Sequence, residues 1–180
     1  MRVLTQDQRL EWIRELLSGD SESLPYRVAG TLLLLYAQPL VKVAAIPMSK
    51  VLVAPDGLSL ELGVTASPVP EPFAELLKRH ITDRPNRRTV GADNPWLFPG
   101  YRPGEHLHPN TLMDRLRRLG MDLLGARNTA LRELVTQVPP PVVAEMLGYS
   151  DQVVHRHASL IAQPWGRYTR PAHSPGGTFK

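Results

Sequence analysis

The sequence predicts a mainly α-helical fold with a small antiparallel β meander, an α+β class. Apolar residues recur at helical spacing along most of the chain, while one central block of short β-prone runs is punctuated by Pro55-Asp56-Gly57. The chain has 180 residues, 42% of them apolar, enough for one proper core and too few for two full domains. A single domain is therefore expected over residues 1–170, followed by a disordered tail, 171–180, of sequence PAHSPGGTFK.

Thr5-Gln6-Asp7-Gln8 has the capping-box spacing, in which threonine and glutamine side chains satisfy each other's backbone N–H groups. Leu10, Trp12, Ile13, Leu16 and Leu17 follow at helical spacing up to Gly19, so a first helix starts at this box. Pro25 suits the first turn of a second helix. Its run VAGTLLLLYAQ is apolar almost all round and belongs at the centre of the core, ending before Pro39. VKVAAI can be read as a short helical or extended step, after which KVLVA, LSLELGV and ASPVP form the meander. Pro70 and Pro72 frame an amphipathic helix, EPFAELLKRHI. A long structureless loop is expected from Thr82 to His108, with PWLFPG plugging the edge of the core. HPNTLMDRLRRLG places Leu112, Leu116 and Leu119 on one side of a helix; ARNTALRELVTQV is another, broken by Pro139-Pro140-Pro141.

No apolar run approaches a bilayer-spanning length, and Met1-Arg2-Val3-Leu4-Thr5 opens no secretory leader, so no membrane association is expected. The absence of cysteine excludes disulfides and thiolate metal sites. His106 with His108 and His155 with His157 are pairs two residues apart, a spacing that does not converge on a helix, and no carboxylate cluster completes a set. No metal and no cofactor are expected, and these histidines read as surface residues or DNA contacts. The net charge is +4, and residues 71–180 carry fifteen Lys/Arg against ten Asp/Glu while residues 1–70 carry six against seven. Most of the basic residues are arginine, whose planar fork suits phosphate and base edges, although a GC-rich gene would give the same bias.

Residues 142–158, VVAEMLGYSDQVVHRHA, read as helix, tight turn, helix. As a helix-turn-helix they place Ala144, Gly148 and Val154 where close helix approach, a left-handed turn and packing are needed. Ser150 would then cap the second helix, and Asp151, Gln152, His155 and Arg156 would face the major groove.

The ordered set LLLLYAQPL, WLFPG, NTLMDRLRRLG, ARNTALRELV and AEMLGYS resembles the C-terminal catalytic domain of the tyrosine recombinases, the phage integrase family, over residues 5–170. The resemblance implies a DNA breaking-rejoining catalytic-domain fold, double-stranded DNA as partner, and a cytoplasmic, nucleoid-associated protein. It also implies a site: two arginines that hold a phosphate, a lysine or histidine that protonates the leaving oxygen, and a tyrosine that attacks phosphorus. Here Leu40 stands in the place of the first arginine, and no lysine occurs between Lys50 and Lys78 to serve the meander. Arg127 matches the second arginine, but Leu124 replaces the histidine three residues before it. Tyr149 replaces the histidine of the glycine turn; nine residues on stands Ala158, and Tyr168 lies further along.

Losing one such clamp costs on the order of a hundred- to a thousandfold in rate, and groups acting as a unit fail together. The expectation is a DNA-binding protein impaired or inactive in strand cleavage and rejoining, with Arg127 and Tyr168 as catalytic remnants. DNA contacts are expected at Arg115, Arg118, Arg127, Tyr149, Gln152, His155 and Arg156. Family precedent leaves room for a homo-oligomer formed through the C-terminal tail, or a partner that supplies an N-terminal clamp domain. Two other readings remain open at this point: a helix-turn-helix transcriptional regulator using residues 142–158, and a decayed structural or protein-binding module.

Overall fold

The computed structural model describes residues 3–84, 88–89 and 92–166. Tyr168 and the expected tail, 171–180, lie outside the described residues. Helix α1, Gln6–Ser18, begins with the expected capping box: Gln8 N donates to Thr5 Oγ1 (3.1 Å) and Thr5 N to Gln8 Oε1 (3.0 Å). Its inward stripe runs through Arg9, Trp12, Ile13 and Leu16, whereas Leu10 is 38% exposed. Arg9 can turn inward because its Nε donates to Leu34 O at 2.9 Å, which satisfies a carbonyl the core would otherwise leave dry.

Helix α2, Leu24–Tyr36, has Pro25 in its first turn and is buried on nearly every face. It forms the axis of the domain, packed by α1, by α3 (Leu40–Ala44), by α4 (Phe73–Asp83), by α5 (Pro109–Arg118) and by α6 (Leu123–Gln137). VKVAAI thus resolves as helix, held by Lys42 N and Val43 N donating to Pro39 O. A helix apolar on nearly every face is stable in water only when enclosed, and Val28, Ala29, Leu32 and Leu34 are fully buried.

The meander follows: β1 Val51–Ala54, β2 Gly57–Leu60 and β3 Ser67–Pro68, antiparallel throughout, with Val51 opposite Leu60 and Ser59 opposite Pro68. Gly57, at φ 143°, closes the first hairpin in a conformation that side chains rarely adopt. Leu58 and Leu60 face the core while Val53 is 80% exposed. The stretch from Thr82 to His108 is less bare than expected: α4 extends to Asp83, β4 (Arg88–Thr89) pairs with β5 (Ala92–Asp93), and Pro47 and Pro99 bridge to Trp96 and His106. The plug is real, with Leu97 and Phe98 wholly buried.

Pro140 opens α7, Pro140–Leu147, and Gly148 turns the chain into α8, Asp151–Gly166. Ala144 and Val154 are buried, and Val153 N donates to Ser150 Oγ at 3.4 Å, the cap expected for this turn. No described helix is long and apolar enough to cross a membrane.

Candidate functional site

Segments more than a hundred positions apart are stapled together beyond the C-terminal end of α2. Helix α2 ends because Ala37 adopts the left-handed conformation (φ 55°, ψ 28°), and Pro39 then starts α3. The freed polar groups meet the α7–α8 turn: Tyr149 Oη donates to Ala37 O, and Gln38 Nε2 donates to Tyr36 O and Leu147 O, each at 3.1 Å. Lys42 Nζ donates to Gly148 O, also at 3.1 Å. Gln38 is buried, so its bonds satisfy carbonyls that water cannot reach.

Gly148 sits at φ 72°, and a Cβ there would lie 2.9 Å from Leu62 O. The connection between β2 and β3 closes the other side: Val64 N donates to Glu145 O at 2.7 Å, and a Cβ on Gly63 would come within 2.0 Å of that carbonyl. The resemblance implies a lysine in the meander; the β2–β3 connection has none and packs backbone to backbone on α7.

Arg127, on α6, stands half-buried beside this staple. Its Nη2 donates to Asn128 Oδ1 at 3.3 Å, and its Nε is buried with no hydrogen-bond partner among the described residues. Burial lifts the Tyr149 phenol to about 12, with the Arg127 charge opposing the shift, so Tyr149 is a neutral donor at neutral pH. His157 lies one position from Ala158 and is buried, against its expected place at the surface. The reason is its spacing three residues after Val154 on the core-facing side of α8. Burial first, then the charges of Arg132, Arg127 and Arg156, hold its pKa below the usual histidine range.

The charges of Arg127, Arg132 and Arg156 therefore bear on one imidazole, while Lys42 Nζ stands 5.5 Å from the Tyr149 ring centre. Among the described residues, Lys42, Arg127 and Arg156 have no carboxylate within 4.0 Å.

Arg115 is placed differently. Its Nη2 pairs with Glu22 Oε1 at 3.1 Å, and its guanidinium stacks 4.6 Å from the Tyr26 ring centre. Arg118 is exposed on α5, and Gln152, His155 and Arg156 are exposed on the first two turns of α8, where His155 Nδ1 donates to Asp151 O at 2.8 Å. Leu40 is buried in the core and Leu124 is half-exposed. His106 Nδ1 donates to Leu107 O at 2.7 Å, and His108 caps α5 by accepting from Asn110 N. Among the described residues no three His, Cys, Asp or Glu side chains are grouped as metal ligands.

Helical spacing gives no sign of Lys42 or Gln38 at this turn and puts His157 at the surface instead of in the core. Lys42 carried one signal, as the lone charge in PLVKVAAIP.

No family model and no curated protein matches the chain. Solved structures do match. The Tn1549 transposon integrase in complex with transposon right end DNA is 12% identical with a TM-score of 0.59, covering 91% of this chain and 66% of that one. The same integrase in complex with a circular intermediate DNA gives 13% and 0.58, over 91% and 65%. A lambda integrase dimer bound to a COC' core site gives 17% and 0.50, over 87% and 47%. The chain thus spans less than two thirds of the length of these structures. At such identities the likeness is one of backbone, and it establishes that this chain has an integrase-like fold: helices with a small three-stranded antiparallel sheet.

Proposed function

We propose that the chain grips duplex DNA through the phosphate backbone and is impaired in cutting it. The observation that carries this reading is a set of cations without carboxylate partners among the described residues of an integrase-like fold: Lys42 and Arg127 beside Tyr149, and Arg156 exposed on α8. Cations that the protein does not neutralise internally attract a polyanion and release its counterions on contact. The integrases with the same backbone are in complex with DNA, which supports the partner. Arg127 is the phosphate ligand in this reading, with Arg118 and Arg156 as exposed outer contacts. Tyr149 keeps its hydroxyl on Ala37 O and holds the turn.

Impaired cleavage rests on the residue pattern. Leu40 is enclosed in the core where the resemblance asks for an arginine, Leu124 and Ala158 carry no proton or nucleophile, and the connection from Glu61 to Ala66 holds no lysine. Fluorescence anisotropy on a short generic duplex tests the binding: affinity is expected to fall tenfold or more between about 50 and about 200 mM salt. Absence of salt-sensitive binding would favour the protein-binding module instead. Nicked suicide substrates test the chemistry, with no covalent adduct expected; an adduct lost in Tyr168→Phe would overturn the impairment.

A second reading, a helix-turn-helix regulator, is favoured by the left-handed Gly148, the buried Val154 and the exposed Gln152, His155 and Arg156. It requires that alanine at those three positions erase preference for a matched over a shuffled site while generic affinity persists.

A further inference from the structure

We propose that Lys42 supplies a DNA-phosphate contact that Leu40 cannot, so that the turn at Gly148-Tyr149 is flanked by a second cation working with Arg127. The inference rests on the DNA-binding reading above and names a residue that neither the spacing argument nor the resemblance assigned.

The geometry points to Lys42 in three ways. Its side chain is exposed on the outer face of α3, yet Nζ is held by Gly148 O at 3.1 Å and by the Tyr149 ring, whose centre is 5.5 Å away. A lysine ammonium has three donors, and Gly148 O engages one of them, so two remain without a hydrogen-bond partner among the described residues. No carboxylate among the described residues lies within 4.0 Å, whereas Lys50, eight positions on, is paired with Glu61 at 3.2 Å. Lys42 is therefore a fixed cation whose charge the fold leaves uncompensated. The pairing with Arg127 follows from Tyr149: the ammonium stands against its ring, and the Arg127 charge acts on its hydroxyl.

A purely structural lysine, present only to latch Gly148 O, is the competing account. Lys42→Gln separates the two, because an amide N–H can still reach the carbonyl while the charge is gone. Binding to a short duplex would be followed by anisotropy over a salt series on the full chain, with circular-dichroism melts to verify folding. Lys42→Gln is expected to flatten the log–log salt slope by about 0.9 and to weaken binding roughly eightfold at about 0.1 M salt, the effect of one lost phosphate contact. Lys42→Arg is expected to keep both. A Lys42→Gln slope equal to wild type would overturn the inference and leave the DNA reading standing. A wild-type chain without salt-sensitive binding would remove both. If Lys42→Gln melts early, Lys42→Arg still decides: a chain that folds but has lost one unit of slope contradicts a charge-based contact.

Discussion

Arg127 and Arg115 lie on the adjacent helices α6 and α5, both half-buried, both with an Nε that finds no partner among the described residues, and yet electrostatically they are opposites. Arg115 is neutralised by Glu22 and covered by the Tyr26 ring; among the described residues Arg127 has only the neutral Asn128 amide, and it shares its surroundings with further cations. A residue count treats them as equal. What separates them is the carboxylate that folding brings alongside, and Glu22 lies 93 positions before Arg115. Available charge is therefore a property of the tertiary structure rather than of composition.

The sharpest way to break the contrast is to unseat the Arg127 side alone. Gly63→Ala drives a methyl group into Glu145 O and should cost about 3 kcal/mol of stability in urea unfolding. Loss of the β2–β3 contact with α7 should weaken DNA binding without disturbing the Arg115–Glu22 pair. Little change in stability would mean that this connection does not brace the turn.

The Arg115 side can be loosened by acid. His80, which lines the same cleft as Tyr26 and Arg115, is buried with Nε2 donating to Leu97 O at 2.7 Å, and burial lowers its pKa to about 4. The folded value lies below the unfolded one of about 6.5, so the stabilisation is complete above pH 6.5 and lost as pH falls towards 4. The loss should total about 3 kcal/mol, and His80→Gln should flatten that slope in urea titrations across the window. His157 is shifted in the same direction and adds to the trend.

Smaller effects sharpen the comparison. Arg127→Ala should weaken binding to every DNA sequence roughly tenfold at about 0.1 M salt and reduce the salt slope by about one. Tyr149→Phe should cost about 1 kcal/mol in thermal unfolding, since Ala37 O loses its donor, and should leave the salt slope unchanged. Arg115→Ala should change DNA affinity less than about twofold, because its charge is already compensated. Equal slopes for Arg115→Ala and Arg127→Ala would erase the distinction.

Most of the backbone was legible because its signals are local. The capping box at Thr5, the Pro55-Asp56-Gly57 hairpin, the Pro139-Pro140-Pro141 break and the left-handed Gly148 each act within a few residues. The site was legible only where the resemblance supplied positions, as at Arg127. Arg9 in place of Leu10 on the inward stripe, His157 turned into the core and Lys42 beside Gly148 each depend on a partner distant in sequence or on which face a neighbour covers. Spacing within one helix contains neither.

The ties at Tyr149–Ala37, Gln38–Leu147 and Lys42–Gly148 also have a temporal consequence, because they join residues 112, 109 and 106 positions apart. Contacts of such separation close late, after local helices have formed. On the ribosome, α2 emerges long before the turn it receives has been synthesised. Any nascent chain that stops short of that turn displays Lys42 without Gly148 and Tyr149 beside it, and the cationic surface matures as the closing act of folding.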